Sequence, residues 1–426
     1  MKIYLDTVGC RLNQAEIETM ANQFRSVGHE IVSLPKGADL AIINTCSVTS
    51  EAASDSRQKI RQANRLGAKK VIVTGCWSTL EPGWAEKLPG VDHLVSNKEK
   101  DRLVSELLSI PEYEFELEPL NRQVIPGKRM RTRAFIKVQD GCDNRCTFCI
   151  TTIARGKSSS RSIQSIVNDI QFAQSGGTKE VVLTGVHLGS WGQERNALKN
   201  RLGELIESIL NETDMTRIRL SSLEPWDIDE HFFELWKNPR LCRHFHFPLQ
   251  SGSGGVLKRM GRRISPRTYE DLCGAVRRNI PNVSITTDLI VGFPGETDLE
   301  FIESLEFVKE LEFSGGHVFT YSARPGTVAA QMPNQIPVEI KKERSGEMRD
   351  VIQKSSIAHA ESFIGSRLQV LWERSNQLRD DHWKLEGFSD NYLKVHALAP
   401  NSRWNQVDEV ELINIDSHGV QGEIVQ

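Results

Sequence analysis

The chain has 426 residues, with 53 Lys+Arg set against 56 Asp+Glu, a formal net charge of −3, 38% hydrophobic residues and eight cysteines. That length predicts two or three domains at roughly 100–200 residues each, and the composition excludes a globally disordered chain. No apolar run approaches the roughly 18 residues that a membrane helix needs, and MKIYLDTVGC lacks the basic-then-apolar layout of a signal peptide; a cytoplasmic protein is expected, whose cysteines serve metals, catalysis or the core rather than disulfides.

Residues 1 to about 110 alternate short β-branched runs with amphipathic helices: Lys2 to Val8, a helix from about Asn13, Asp39 to Thr45, a second helix, Lys70 to Thr74 and Asp92 to Val95. In the first helix Ile17, Ala21 and Phe24 recur at helical spacing, and Gly28 stands where a C-terminal cap is expected. Alternation of this kind predicts a parallel sheet of Rossmann or flavodoxin type in a first domain, residues 1–115. A linker follows at 116–133, where prolines punctuate an acidic and then a basic stretch, EYEFELE and GKRMRTR.

A second alternating region spans 134–361, with strands expected at Phe135 to Gln139, Glu180 to Val186, Arg217 to Leu223, His244 to Pro248, Ser284 to Val291 and Gly316 to Tyr321. Six units fall short of the eight in a full (β/α) barrel of roughly 250 residues, so a partial (β/α)6 barrel is predicted. Residues 362–426 change character again. Leu368 to Trp372, His382 to Phe388, Tyr392 to Val395, Val410 to Ile415 and Val420 to Val425 are short strands, suited to a small OB-like β-barrel.

Two groups of three cysteines carry the chemistry. Cys142, Cys146 and Cys149 lie in GCDNRCTFC, directly after the strand FIKVQ. In a (β/α) barrel that loop lies on the catalytic face. Three thiolates at this spacing suit three irons of a 4Fe-4S cluster and leave the fourth open, whereas structural zinc takes four protein ligands from separated pairs. A zinc knuckle borrowing a distant His is the competing reading. Cys10, Cys46 and Cys76 are distant in sequence, yet each falls just beyond a predicted strand. Strands of a parallel sheet point the same way, so the three thiols should emerge together at its carboxyl edge, where open α/β sheets place ligands. Three ordinary buried cysteines are the alternative. Cys242 and Cys273 are expected in the core.

The Cys-x-x-x-Cys-x-x-Cys loop, with Phe148 before its last cysteine, resembles the radical S-adenosylmethionine (SAM) superfamily. Together with Asn44-Thr45-Cys46, Thr74-Gly75-Cys76, PLQSGS at 248–253, TTDLIVGFPGET ending at Thr297 and the tail, it is similar to the methylthiotransferases of that superfamily, over nearly the whole chain. The resemblance implies an N-terminal cluster domain, a SAM barrel and a C-terminal TRAM domain. It implies two 4Fe-4S clusters: one on Cys142, Cys146 and Cys149 that generates a 5′-deoxyadenosyl radical, and one on Cys10, Cys46 and Cys76 that carries the sulfur inserted into a C–H bond. SAM would serve as methyl donor and radical source, with an external electron donor and a sulfur source, and the chain is expected to act as a monomer. Phe148 and the glycine-rich strand ends at Gly185, Gly292 and Gly295 are the SAM contacts expected, since glycine lets a backbone approach a ligand closely.

Members of the family act on adenosines beside the tRNA anticodon, carrying an isopentenyl or a threonylcarbamoyl group, or on an aspartate of a ribosomal protein. Ala154-Arg155-Gly156 and LTGVHLGSWG, ending at Gly192, look like the threonylcarbamoyladenosine branch. Thr151-Thr152 departs from the Ile-Pro usual in the family at that point. A two-cluster electron carrier, or an iron-sulfur RNA-binding protein without catalysis, is the alternative of another class.

Charge by segment favours RNA contact around the centre: residues 1–120 carry −3, 121–361 carry +4 and 362–426 carry −4. Lys128, Arg129, Arg131 and Arg133 in the linker, and Arg155, Lys157 and Arg161 beside the cluster loop, are the cations expected to meet phosphates of the anticodon stem-loop. Lys258, Arg259, Arg262 and Arg263 form a further group. The acidic tail argues against RNA there, and its aromatic residues suit either stacking or a core.

Overall fold

A computed structural model describes residues 1–111, 115, 132–193, 201–378 and 382–425. Lys128, Arg129 and Arg131, expected at the RNA surface, lie outside them. The described chain divides into two compact units, one formed by Met1–Asn144, Ile150–Thr178 and Leu183–His187, the other by Arg145–Cys149, Lys179–Val182 and Leu188–Gln426.

The first unit opens with β1 (Lys2–Thr7), α1 (Arg11–Ser26), β2 (Glu30–Val32), β3 (Leu40–Thr45), α2 (Ser50–Arg65), β4 (Val71–Gly75), α3 (Cys76–Leu80), α4 (Pro82–Ala85), β5 (His93–Val95) and α5 (Leu103–Leu108). The strands are parallel, in the order β2-β1-β3-β4-β5. Every residue of LAIINT in β3 and VIVTG in β4 is buried, as a strand covered on both faces requires. On one face Ile17, Met20, Ala21 and Phe24 of α1 pack against Ile3, Leu5, Ile42 and Ile72. On the other, Ala53, Ile60 and Ala63 of α2 meet Ala41, Ile43 and Val73. Thr49 starts α2 by accepting a hydrogen bond from the Ala52 amide at 3.0 Å, which satisfies one of the open amides of the first turn.

The unit continues with β6 (Arg133–Lys137), β7 (Gln139–Asp140), α6 (Thr151–Arg155), β8 (Ser159–Ser160) and α7 (Ile163–Ser175); β7 and β8 form a short antiparallel pair. The next strand, β9 (Glu180–Thr184), is fully buried.

The second unit contains α8 (Arg201–Glu212), β10 (Arg217–Leu220), β11 (His244–His246), α9 (Gly254–Met260), α10 (Pro266–Asn279), β12 (Ser284–Val291), α11 (Asp298–Glu310), β13 (Gly315–Thr320) and α12 (Val338–Glu361). Strands β11, β12 and β13 pair in parallel in chain order, and parallel bridges Ile218–Leu241 and Ser222–His246 tie the β10 segment to the β11 segment. Each of the six strands expected in this region is present within a few residues of its expected place. The helices between them start on capping residues: Ser265 with Thr268, and Thr297 with Glu300, form reciprocal capping boxes. The result is the open α/β core of the predicted partial barrel.

Five strands close the chain into a barrel: β14 (Arg367–Gln377), β15 (Trp383–Ser389), β16 (Lys394–Ala399), β17 (Val407–Asp416) and β18 (Gly419–Ile424), in the order β14-β15-β16-β18-β17. Trp372 is fully buried at its centre, and its indole Nε1 donates to Asp408 at 2.8 Å. Three arginines of the α/β core hold this barrel. Arg217 donates to the carbonyls of Gln369 and Phe388, Arg219 to those of Asp390 and Ser389, and Arg243 pairs with the Asp390 carboxylate at 2.6 Å. Glu180 forms ion pairs with both Arg217 and Arg219, at 2.8 and 2.7 Å. Tyr392 stacks on His244 at 4.4 Å and on Phe388 at 4.8 Å. Trp372 and Tyr392 therefore serve packing. Among the described residues no helix is long and apolar enough to cross a membrane.

Candidate metal centres and active site

Cys10, Cys46 and Cys76 follow β1, β3 and β4, three neighbouring strands that run the same way. The order 2-1-3-4-5 reverses direction between β1 and β3, the switch point at which parallel sheets open a ligand crevice beyond their carboxyl ends. Cys10 and Cys46 flank that point. The segments converge closely: a Cβ placed on Gly9 would lie 2.5 Å from Cys46 Sγ, and one on Gly75 would lie 2.3 Å from the Thr45 carbonyl. Both glycines have positive φ, at 96° and 104°, so the strand ends turn into the edge without a side chain in the way. Cys46 and Cys76 are buried and Cys10 keeps solvent contact. Burial pushes the Cys46 thiol up to about 11, so ligand binding there must displace a proton.

Among the described residues no three His, Cys, Asp or Glu side chains are gathered for a single metal ion. A cubane makes a different demand, one thiolate for each of three irons. The surroundings fit it. Asn97 Nδ2 stands 3.6 Å from Cys76 Sγ, a donor aimed at a sulfur. Asn44 Oδ1, Thr74 Oγ1 and Asn97 Oδ1 are buried beside the cysteines without a hydrogen-bond partner, as polar atoms around a cofactor site are.

The second cysteine loop begins where β7 ends. Gly141 has φ 68°, and a Cβ there would lie 1.9 Å from the Lys157 carbonyl. Cys142 N donates to the Gly156 carbonyl at 3.0 Å. Gln139 fixes the turn from inside: its Nε2 donates to the carbonyls of Asp140 and Gly141, both at 2.8 Å, and its Oε1 accepts from His187 N at 2.8 Å. In the other unit Thr147 spans two elements, its amide on the Met260 carbonyl and its carbonyl on the Ala329 amide. Arg262 Nη1 lies 4.0 Å from Cys146 Sγ. A cation held against a thiolate suits an anionic cluster, and Cys142, Cys146 and Cys149 are each half-buried. Ser221 Oγ, Ser253 Oγ and Tyr321 Oη, beyond the ends of β10, β11 and β13, are buried without partners, which fits a polar ligand over the strand ends.

Of the glycines expected to meet SAM, two have protein in the space a Cβ would take: Gln139 Oε1 at 2.8 Å from that point at Gly185, and Lys341 Cγ at 2.4 Å at Gly292. At Gly295 the nearest atom is Arg259 Nε at 3.7 Å. Phe148 packs edge-on against Phe293 at 6.4 Å.

The cations expected to meet RNA separate sharply. Arg155 corrects the sequence reading: its side chain is 2% exposed and ion-paired with Glu16 and Asp140, so it is unavailable to phosphates. Arg262 is likewise buried, on Glu224, and Arg259 is paired with Glu300. Arg161 is half-buried on Asp169, Arg133 is half-buried and Lys157 is exposed. Cys242 and Cys273 are core residues, 2% and 0% exposed. Sequence reasoning missed Asn13, Glu16, Asn97 and Lys100, and it read Arg262 as a surface cation. The polar residues on the buried face of α1 were the available signal for the first two.

The chain thus carries a three-cysteine loop at a strand end of an α/β core, preceded by a parallel sheet with three cysteines at one edge. The family described as the radical SAM superfamily matches residues 136–308, and the uncharacterized protein family UPF0004 matches 2–96. The chain is 33% identical to the threonylcarbamoyladenosine tRNA methylthiotransferase MtaB of Bacillus subtilis (strain 168), covering 99% of this chain and 95% of that protein. It is 36% identical to the MtaB of Thermotoga maritima, covering 99% and 96%. A tRNA-2-methylthio-N(6)-dimethylallyladenosine synthase of Bacillus cytotoxicus is 31% identical, covering 100% and 86%. Among solved structures, the radical SAM methyltransferase TsrM of Kitasatospora setae shares the fold, with a TM-score of 0.58 at 15% identity, covering 88% of this chain and 79% of that one. The chain belongs to the radical SAM methylthiotransferase family. It is a sulfur-inserting transferase whose cofactors are SAM and two 4Fe-4S clusters.

Proposed function

We propose that this protein inserts a methylthio group at C2 of N6-threonylcarbamoyladenosine beside the anticodon of tRNA. The observation that carries the reading is the placement of Cys10, Cys46 and Cys76 at the carboxyl edge of three neighbouring parallel strands, in a chain whose full-length relatives at 33 and 36% identity bear that substrate in their names. The relative named for dimethylallyladenosine, at 31%, makes that nucleoside the second reading; a ribosomal-protein aspartate is a third.

In this reading Cys142, Cys146 and Cys149 hold the radical-generating cluster and Cys10, Cys46 and Cys76 the sulfur-carrying one, in domains at 1–115, 134–361 and 362–426 joined by the linker 116–133. Bound SAM and the two clusters supply the 5′-deoxyadenosyl radical, the methyl group and the transferable sulfur, with electrons and sulfur from outside the chain. The protein's own part is placement. Gly141 and Gln139 set the loop on its strand end, Arg262 offsets thiolate charge at Cys146, and Asn97 donates toward Cys76. Hydrogen abstraction depends on holding the reacting atoms close and aligned, so no acid-base pair is required. Phe148, Gly185, Gly292 and Gly295 are assigned to the SAM side of the site. Lys157, with Arg133 and Arg161, is assigned to phosphate contact. In this reading the enzyme is a cytoplasmic monomer.

Nucleoside mass spectrometry of tRNA from cells with and without the gene tests the reading. Loss of the methylthio threonylcarbamoyl nucleoside in the deletion is expected. Loss of the methylthio isopentenyl nucleoside instead would establish the second reading.

A further inference from the structure

Beneath the sheet edge that carries Cys10, Cys46 and Cys76 lies a group of charged side chains with no part in the chemistry above. Glu16 on α1 is 4% exposed. It accepts from Arg155 Nη1 at 2.9 Å, Lys100 Nζ at 2.8 Å and Asn44 Nδ2 at 3.0 Å. The same Nη1 reaches both oxygens of Asp140 at 2.9 and 3.0 Å, and Nη2 donates to Asn13 Oδ1 at 2.8 Å. Lys137 Nζ closes the group, 2.8 Å from Asp140 and 3.6 Å from Glu16.

These residues come from two places in the chain. Asp140 precedes Cys142 by two residues, and Arg155 ends the helix that follows the radical loop. Asn13 and Glu16 belong to the helix that Cys10 caps. Asn13 Nδ2 donates to the carbonyls of Val8 and Thr45, at 2.8 and 3.1 Å, just before Cys10 and Cys46. Asn97 Nδ2, beside Cys76, donates to the Ala154 carbonyl at 2.9 Å. Arg155 is thus linked through Asn13 to the segments just before Cys10 and Cys46, and Ala154 through Asn97 to Cys76.

A buried ion network of this kind is a weak argument for stability, because desolvation offsets most of the attraction; fixed register is its better-attested use. Its charge also matters. Lys100, Lys137 and Arg155 are buried cations facing the buried anions Glu16 and Asp140, while the Asp101 partner of Lys137 has a side chain 71% exposed. Among these buried groups the cations exceed the anions by one, and Arg155 is joined to Cys10 through Asn13, whose Oδ1 accepts from Arg155 Nη2 at 2.8 Å and from Cys10 Sγ at 3.8 Å. Net charge around a cluster sets its potential.

We infer that Arg155, locked by Glu16, Asp140 and Asn13, is a positioning residue: it fixes the Cys142 end of the radical loop against the edge that carries the second cysteine triad, and it lends that triad a compensating positive charge. This rests on the reading of both triads as cluster ligands. Arg155 touches neither substrate nor reacting atoms.

The test uses the reconstituted full chain with Arg155→Lys, which keeps the charge and loses the planar fork, and Arg155→Gln, which loses both. Iron content, the pulsed-EPR distance distribution between the two reduced clusters, and 5′-deoxyadenosine formed per methylthio nucleoside are measured. The auxiliary midpoint potential is read in a Cys142→Ala, Cys146→Ala, Cys149→Ala background. For Arg155→Lys we expect two clusters, a near-parental potential, a broadened distance distribution and about tenfold more 5′-deoxyadenosine per product, the low end of outer-shell effects at metal sites. For Arg155→Gln we expect the same loss of coupling together with a lower potential. Should Arg155→Gln fail to load iron, Arg155→Lys still decides. A variant with both clusters and parental distances, potential and coupling overturns the inference alone; a parent chain that carries a single cluster overturns the reading of the triads and the inference with it.

Discussion

The Arg262 guanidinium stands 4.0 Å from the sulfur of Cys146, held there by Glu224 at 3.0 and 2.7 Å and by the Pro248 carbonyl at 2.5 Å. Burial pushes the Cys146 thiol up to about 11, and Arg262 is the largest influence pulling it down. Replacing Arg262 by Met removes that cation and leaves Glu224 without its bidentate partner. SAM cleavage to 5′-deoxyadenosine should fall about 10–100-fold, with Arg262→Lys intermediate. Undiminished cleavage in the Met variant would show that the contact is incidental.

Independent cysteine triads predict independent iron. Replacing Cys10, Cys46 and Cys76 together by Ala should remove about half of the iron while SAM cleavage persists. Replacing Cys142, Cys146 and Cys149 should remove the other half and abolish cleavage. Full iron retention in the first variant, measured by metal analysis after reconstitution, would remove the case for a cluster at the sheet edge.

Gly141→Ala tests the backbone rather than a ligand. Its φ of 68°, and the Lys157 carbonyl only 1.9 Å from where the alanine Cβ would sit, mean that the loop must shift. Strain of about 1–3 kcal/mol falls at the base of the radical loop, so cluster content at Cys142, Cys146 and Cys149 should drop while the other triad keeps its iron. Equal loss from both sites would point to general misfolding.

His359 makes stability fall in acid. Burial, with Arg277 adding to it, lowers its imidazole from 6.5 to about 4, and the neutral ring shares a hydrogen bond with Ser284 at 2.8 Å. A depressed folded value means that the unfolded chain takes the proton first. Stability is therefore complete above pH 6.5 and declines as pH falls toward 4, by up to about 2 kcal/mol after allowance for partial exposure. Urea unfolding between these pH values should show this slope, and His359→Gln should flatten it.

Lys157 is an exposed cation beside the radical loop. Lys157→Glu should weaken tRNA binding at every sequence and lower the salt dependence by about one counterion. Parental affinity and slope in filter binding at several salt concentrations would place the RNA elsewhere.

Much of this protein was legible in its sequence because the relevant information is local. The spacing of Cys142, Cys146 and Cys149 lies within one loop, and the strands IYLDT, LAIINT and VIVTG announce both their burial and where they end. Given parallel strands, Cys10, Cys46 and Cys76 had to emerge at one edge. The closed barrel was readable from short alternating strands in the last residues.

Tertiary structure decided which charges are spoken for. Arg155 looked like a phosphate contact because it follows the cluster loop in a basic stretch, yet its partner Glu16 is 139 residues away. Arg262 likewise meets Glu224 across 38 residues. Sequence periodicity reports which face of an element is apolar; it carries no signal for which distant carboxylate a long, flexible cation will reach. That depends on the register in which separate elements pack. So the sequence by itself determined the cluster ligands to expect and the strand ends that present them, while folding determined the charged network that binds one triad's edge to the other's loop.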